Sequence, residues 1–228
     1  DLDEAIKGVI YSSFAFQGQK CSACSRVYIV GSAYDIFIDR IQHATSSLKV
    51  GNPVLPHTFV GPVIDDESYK RLNEIISRAK QTTTLLSEVT LDKKLQESGY
   101  YISPKVFCDV PEDHELFTTE LFGPVVVVAK VNSFSEGLTK ALNSEFALTG
   151  AVYSRSPESI DLAIHSFRVG NLYINRPCTG AMVMRQPFGG AAMSGLGTKA
   201  GGPDYLLQFV IPRSLSENTM RRGFAPEN

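Results

Sequence analysis

The reactive side chains of this sequence are concentrated near its start, around two cysteines. Cys21 and Cys24 form a Cys-x-x-Cys pair, with the cations Lys20 and Arg26 beside it. A thiol attacks carbon as the thiolate, and neighbouring positive charges favour that form. Because Gly18 suggests a turn between a helical pattern and a strand-like run, we expect a cysteine on this turn to face a cleft. The alternative is a buried, inert thiol in a helix-to-strand connection, which is the commoner role of a free cysteine.

The Cys-x-x-Cys spacing is also typical of zinc sites and of redox-active thiol pairs. A zinc site needs two more ligands, yet Cys108 and Cys178 stand alone and no two histidines have ligand spacing. A thioredoxin-like pair usually opens a helix, whereas the residues that follow Cys24 are strand-like. A third interpretation is one nucleophilic thiol with an incidental neighbour. The residues alone leave these interpretations open.

Composition removes several classes of function. The chain of 228 residues balances 22 Lys+Arg against 24 Asp+Glu, so no positive surplus exists to neutralise phosphates and no nucleic-acid partner is expected. The longest apolar run, Val125–Ala129, is far too short to span a bilayer, and the acidic start of the chain is unlike a signal peptide. Four cysteines are too few for a secreted disulfide scaffold. They favour a reducing compartment, either the cytoplasm or, in a eukaryote, the mitochondrial matrix.

The elements that must position these side chains follow from the hydrophobic pattern. Strand-like and helical segments alternate from residue 26 to residue 175, which indicates an α/β layered fold with a mainly parallel, twisted sheet. Val125–Val131 is an unbroken β-branched run, typical of a strand covered on both faces. The clearest helix begins at Asp65, with acidic residues in its first turn. Residues 176–203 form a glycine-rich loop of the kind that carries function, and Tyr205–Ile211 is predicted to be a last strand.

Three motifs resemble those of the aldehyde dehydrogenase superfamily, and the third of them is Pro187–Gly190 with Ser194 and Gly195, which resembles the region near the substrate mouth. Phe14, Gly18, Gln19 and Cys21 stand in the pattern Phe-x-x-x-Gly-Gln-x-Cys, which is similar to the active-site cysteine motif of that superfamily. The resemblance implies that Cys21 is the nucleophile and leaves Cys24 without a role. It also implies a three-layer catalytic domain that works with NAD, with NADP not excluded.

The second motif, Thr119–Val125, resembles the superfamily's Glu-Phe-Gly-Pro block. By that resemblance Glu120 binds the nicotinamide ribose and Phe122 packs beside the nicotinamide. Taken alone, Glu120 would be read as a solvated loop carboxylate, because exposed carboxylates are the rule.

Further segments resemble the 1-pyrroline-5-carboxylate dehydrogenase branch of the superfamily, either as a single enzyme or as part of a bifunctional proline utilisation A protein. These segments are Asn171–Ala181, Lys199–Tyr205, and Ser22 directly after Cys21. The implied reaction is oxidation of L-glutamate γ-semialdehyde to L-glutamate in proline degradation. By the same resemblance, the substrate α-carboxylate is held by the Ser22 hydroxyl and the backbone N–H groups of Gly180 and Ala181, and Phe188 packs on the aliphatic stem. Glycine permits close approach of the backbone to such an anion.

The resemblance does not extend to the superfamily's general base or its dinucleotide-binding domain, which lie well upstream of the cysteine. We therefore expect residues 1–204 to be the catalytic domain and residues 205–228 an oligomerisation strand with a tail, with the NAD-binding domain absent. The expected parent is a homo-oligomer, and the chain alone is expected to have no substantial dehydrogenase activity. The competing hypotheses are an aldehyde dehydrogenase of other specificity, a non-catalytic thiol or zinc module, and a structural assembly domain.

Overall fold

The computed structural model describes residues 1–220 and residue 223. Its α-helices are α1 (Leu2–Phe14), α2 (Gly31–Ser46), α3 (Asp66–Thr82), α4 (Lys93–Ser98), α5 (Glu115–Thr118), α6 (Phe134–Leu142) and α7 (Pro157–Ser166). Its strands are β1 (Arg26–Val30), β2 (Thr84–Glu88), β3 (Lys105–Cys108), β4 (Val125–Val131), β5 (Phe146–Ala147), β6 (Thr149–Val152), β7 (Asn171–Ile174) and β8 (Ala191–Ala192). Short 3-10 helices occupy Ala15–Gly18 and Tyr205–Phe209.

The largest sheet has four strands in the order β1-β4-β3-β2. β4 pairs in parallel with β1 on one side and β3 on the other, and β2 is antiparallel to β3. The predicted α/β fold with a mainly parallel sheet is confirmed. The alternating segments do not all join one sheet, however, because β6 and β7 form a separate parallel pair and β5 pairs with β8.

β4 lies at the centre of the core, and the side chains on its two faces belong to two different hydrophobic clusters. Val126 and Val128 pack with α1 and α2, whereas Val125 and Val127 pack with α3. All four valines are at least 95% buried, and each stabilises the fold by roughly 1.5–3 kcal/mol through removal of its side chain from water. Coverage on both faces explains why the strand shows no polar alternation.

α3 confirms the clearest helical prediction, and it packs against the second motif, Thr119–Val125. Its N-cap is Asp65, whose carboxylate accepts a hydrogen bond from Ser68 N at 2.8 Å. That hydrogen bond lowers the pKa of Asp65. The helix turns Leu72 and Ile76 inward, toward the same cluster that buries Leu121.

The predicted strand over Tyr205–Ile211 is wrong for this chain by itself. Tyr205–Phe209 form a 3-10 helix instead, and Leu206, Phe209 and Ile211 are exposed. A strand needs a neighbouring edge to satisfy its backbone groups, and within the described residues no strand lies beside this segment. The domain boundary at residue 204 and pairing of the segment with another subunit stay predictions.

None of the helices in the described part of the chain combines the length and the apolar character that crossing a membrane requires.

Candidate active site

The loop that carries Cys21 begins with a run of left-handed backbone. α1 ends at the fully buried Phe14, and Phe16, Gln17 and Gly18 then have φ of 56°, 60° and 66°. A non-glycine residue pays roughly 1–2 kcal/mol for this conformation, so the surrounding packing must hold the turn in place. Such strain is found most often at functional sites. The turn redirects the chain out of α1 so that Cys21 is exposed.

The turn is held by backbone contact with the second motif. A Cβ atom on Gly18 would lie 2.3 Å from the carbonyl oxygen of Gly123 and 2.8 Å from that of Ser13. Gly18 therefore serves two needs at once, a positive φ and an approach too close for any side chain. Gln19 adds a second attachment, because its side-chain oxygen accepts a hydrogen bond from Ile64 N at 3.0 Å. The first contact holds the cysteine loop against Gly123, and the second attaches it to the segment just before α3.

Cys21 lies in the wall of a cleft of about 380 Å³, which we call the active-site cleft. The same wall contains Glu120 and Phe122, so the structure brings the two predicted cofactor residues and the predicted nucleophile into one cavity. The backbone N–H of Cys21 has no acceptor within the described residues. An unpaired N–H next to a nucleophile is available to stabilise an oxyanion.

Glu120 and Phe122 project from a loop that is anchored at the residue between them. Leu121 is buried, and its carbonyl oxygen accepts a hydrogen bond of 2.7 Å from the guanidinium of Arg71 on α3. Phe122 has φ of 52° and is 42% exposed, and Glu120 is exposed as well. The buried anchor thus leaves a carboxylate and an aromatic ring free at the cleft.

A buried hydrogen bond joins the cysteine loop to the predicted carboxylate loop. The hydroxyls of Ser22 and Thr179 lie 2.9 Å apart, although 157 positions separate them in the chain. Gly180 has φ of 85° and open space where a Cβ would be, and the N–H groups of Gly180 and Ala181 have no acceptor among the described residues. The arrangement provides one hydroxyl and two backbone donors close together, which is the donor set that a carboxylate needs.

The structure does not place the predicted substrate residues Ser22, Gly180, Ala181 and Phe188 among the residues that line the active-site cleft. Phe188 is half-buried and forms a backbone bridge with Ala200. The Lys199 ammonium donates to the carbonyls of Gly170 and Gly189 and so fixes this bridge beside β7.

The two cations beside the cysteine pair have contacts that sequence reasoning did not anticipate. The Lys20 ammonium lies 5.2 Å from the ring centroids of both Tyr11 and Phe16, and burial lowers its pKa. The guanidinium of Arg26 donates to the carbonyls of Ala141 and Asn143, at 3.5 Å each. That these two cations favour a thiolate stays a prediction.

Sequence reasoning also missed two residues that shape the site. Arg71 carries no local signal, since a charged residue on an exposed helix face is ordinary. Thr179 stands beside Gly180, yet nothing in the sequence shows that its hydroxyl meets Ser22.

As for the zinc interpretation, the described residues contain no group of three or more His, Cys, Asp or Glu side chains arranged to hold a metal ion.

The comparisons with known proteins point to one family. A model of the "Aldehyde dehydrogenase family" matches residues 1–215. Proteins curated as 1-pyrroline-5-carboxylate dehydrogenase are similar to this chain. Those of Geobacillus kaustophilus (strain HTA426) and Bacillus subtilis (strain 168) are 46% and 44% identical over 217 residues, which is 95% of this chain and 42% of each relative.

Solved structures agree with these relatives. The crystal structure of proline utilization A from Bdellovibrio bacteriovorus has a TM-score of 0.91 and 46% identity, over 100% of this chain and 23% of that protein. The 1-pyrroline-5-carboxylate dehydrogenase from Thermus, solved with bound NAD, has a TM-score of 0.85 and 40% identity, over 92% of this chain and 40% of that protein. The chain thus spans about 42% of the length of the curated relatives it matches.

Proposed function

Because this chain belongs to the aldehyde dehydrogenase family, we propose that it supplies the nucleophile of an NAD-dependent dehydrogenase that acts on L-glutamate γ-semialdehyde. The observation that carries the proposal is the active-site cleft, in which Cys21, Glu120 and Phe122 share one wall. The names of the relatives support the choice of substrate, since they include 1-pyrroline-5-carboxylate dehydrogenases from several bacteria.

The residues of the cleft suit a nicotinamide dinucleotide. The exposed carboxylate of Glu120 is an acceptor for ribose hydroxyls, and the exposed ring of Phe122 offers an apolar surface to a flat heterocycle. When bound, the dinucleotide supplies the hydride acceptor. That the Thermus relative was solved with bound NAD supports NAD as this cofactor.

The chemistry of the chain's own residues begins at Cys21. Its thiolate attacks the aldehyde carbon, and the resulting oxyanion accepts a hydrogen bond from the unpaired Cys21 N–H. After oxidation the substrate is a thioester on Cys21, which water hydrolyses to the carboxylic acid with release of the thiol. The openness of the cleft around Cys21 gives that water access to the thioester.

Selection of the semialdehyde rests on its α-carboxylate. The Ser22 hydroxyl and the N–H groups of Gly180 and Ala181 bind this group, and Phe188 contacts the aliphatic stem. The hydrogen bond between Ser22 and Thr179 holds the Ser22 hydroxyl near the loop that carries the two N–H groups. An aldehyde without an α-carboxylate leaves these donors unpaired and is bound less tightly.

The setting of the enzyme is part of the same proposal. All four cysteines are free thiols, which fits a reducing compartment such as the bacterial cytoplasm. The cluster of exposed apolar side chains at Leu206, Phe209 and Ile211 is suited to a subunit interface in a homo-oligomer.

The decisive experiment compares Cys21→Ala with Cys24→Ala in the full-length protein. NADH formation with L-glutamate γ-semialdehyde should fall by roughly 10³-fold or more for Cys21→Ala, because the covalent step is lost. Cys24→Ala is the matched control, since its thiol lies three positions away and has no role in the reaction. Retention of wild-type turnover by Cys21→Ala would refute the proposed mechanism.

Substrate choice has a separate test. The full-length protein should oxidise the semialdehyde with a kcat/KM well above that for a simple aldehyde of the same length without the α-carboxylate. Equal values for both aldehydes would leave the dehydrogenase mechanism intact and contradict the proposed substrate.

A further inference from the structure

Two thiols outside the proposed catalytic machinery meet below the active-site cleft. Cys24 follows Cys21 by three positions and is half-buried, and its thiol lies 3.6 Å from the carbonyl oxygen of Arg26. The Cys24 and Cys178 thiols are close enough for each to shift the pKa of the other. Cys178 is 93% buried and directly precedes Thr179 in the carboxylate loop. Both are free thiols.

The backbone around the two thiols is held on both sides. Cys24 N donates to the carbonyl oxygen of Ser12 at 3.1 Å, and Cys178 N donates to the hydroxyl of the same Ser12 at 3.3 Å. The Cys178 thiol in addition lies 3.4 Å from the carbonyl oxygen of Ser22 and donates to it. One residue of α1 thus positions both cysteines, which keeps the sulfur atoms close without a covalent bond.

The two cysteines also line a common cavity. Cys24 and Cys178 both line a second cavity of about 330 Å³, which lies between α1, β1 and β6, and Cys24 also lines the active-site cleft. A small, uncharged molecule can therefore approach the pair from either side, whereas a bulky thiol reagent meets a buried surface. The smallest biological two-electron oxidant of this description is hydrogen peroxide.

We propose that Cys24 and Cys178 are a redox modification site, a dithiol that hydrogen peroxide converts to a reversible disulfide. Such bonds in reducing compartments are usually transient and sense oxidants. The pairing is supported by the attachment of both cysteines to Ser12 and by the single cavity that both of them line.

The reaction proceeds in two balanced steps. The neighbouring Cys24 thiol lowers the pKa of Cys178, whereas Cys178, together with burial, raises the pKa of Cys24. Cys178 is therefore the thiolate that attacks peroxide: its sulfur gains a hydroxyl, the O–O bond breaks, and the hydroxide released takes a proton to become water. The Cys24 sulfur then attacks the sulfenic acid, the S–O bond breaks, and a second water leaves. Two thiols and one peroxide give one disulfide and two waters.

The disulfide would change the geometry of the proposed substrate site, and this part of the inference rests on the proposed function. An S–S bond of about 2 Å draws the sulfur atoms closer than two thiols without a covalent bond can lie. Formation of the disulfide displaces Cys178 and removes the thiol proton that it donates to the carbonyl oxygen of Ser22. Because Thr179 follows Cys178 directly, its hydroxyl shifts relative to the Ser22 hydroxyl. We expect a several-fold higher KM for the semialdehyde after oxidation, with full recovery on reduction by dithiothreitol.

The experiment uses the full-length protein in a Cys21→Ser background, because oxidation of the nucleophile itself would otherwise complicate the result. After treatment with hydrogen peroxide and alkylation of the remaining thiols, peptide mapping by mass spectrometry should find a Cys24–Cys178 cross-link that dithiothreitol removes. In the same background, Cys178→Ala should leave Cys24 as a free thiol, and Cys24→Ser should do the same for Cys178. Melting curves of each variant establish that the protein is folded.

Two results would overturn the proposal. The first is the absence of the cross-link under conditions that oxidise Cys108, which is buried and has no partner sulfur. The second, in protein that retains Cys21, is a predominant Cys21–Cys24 disulfide. Neither result depends on enzyme activity, so the mapping tests the thiol pair independently of the proposed function.

Discussion

Replacement of Gly18 by alanine tests whether the backbone contact between the first two motifs sets the position of Cys21, the proposed nucleophile. The new Cβ would lie 2.3 Å from the Gly123 carbonyl oxygen, and the residue would also have to keep φ of 66°. The positive φ costs roughly 1–2 kcal/mol, and overpacking against rigid backbone roughly 1–3 kcal/mol more. Relief of the overlap requires the loop to move by roughly 1 Å, which can lower the rate about 100-fold when reacting groups are displaced.

Two other glycines separate the contributions to this effect. Gly180→Ala imposes the same kind of positive φ, at 85°, but its Cβ meets nothing within 4 Å. Gly51→Ala has neither problem, because its nearest contact is a side-chain oxygen of Thr58 at 3.4 Å. Melting temperatures of the full-length variants should therefore fall in the order Gly51→Ala, Gly180→Ala, Gly18→Ala. We expect the last to melt roughly 5 °C or more below wild type.

Activity provides the second measurement for the same variant. NADH formation by Gly18→Ala should show a kcat at least about 10-fold below that of Gly51→Ala, because Cys21 moves relative to Glu120 and Phe122. If Gly18→Ala melted and turned over like Gly51→Ala, the contact with Gly123 would not be what positions the loop. A Gly180→Ala protein as unstable as Gly18→Ala would instead assign the whole effect to backbone strain.

Three further variants address the remaining parts of the site and the core. Thr179→Val should leave the buried Ser22 hydroxyl without its partner, at a cost of about 1–3 kcal/mol in stability, and raise the KM for the semialdehyde more than the KM for NAD. Arg71→Met removes the donor to the Leu121 carbonyl and should mainly raise the KM for NAD, with the semialdehyde KM as its internal control; the reverse pattern would contradict a positioning role. Burial lowers the pKa of Lys105 from 10.5 to about 8, so the folded protein binds fewer protons than the unfolded chain between these values, and the stability of wild type relative to Lys105→Met should rise from pH 8 to pH 10. A difference that stays constant with pH, measured by denaturant unfolding, would show that Lys105 keeps its charge in the fold.

The elements of the fold were predictable where local pattern and burial agree. The unbroken valine run of β4 indicates a strand buried on both faces, and the acidic first turn of α3 indicates where that helix begins. Tyr205–Ile211 has equally strong β-propensity, yet a strand also requires a partner edge, and propensity carries no information about that edge.

The candidate site was predictable only through motifs that are already familiar as units. The pattern around Cys21 and the Glu120–Phe122 block identify the residues, but neither shows that Gly18 touches Gly123. That contact depends on how the sheet brings distant segments together. The meeting of Cys24 with Cys178 was invisible for the same reason, since each cysteine by itself has the commonest role of a buried thiol.

The buried hydrogen bond between Ser22 and Thr179 also has a consequence for synthesis of the protein. The two residues are 157 positions apart, and a ribosome adds about 5–20 residues per second, so Ser22 leaves the ribosome about 8–31 s before its partner. During that interval the cysteine loop lacks the segment that later covers Cys24, and its thiols are open to solvent on a growing polypeptide. The cysteine loop therefore reaches its finished form only after residue 179 has been synthesised.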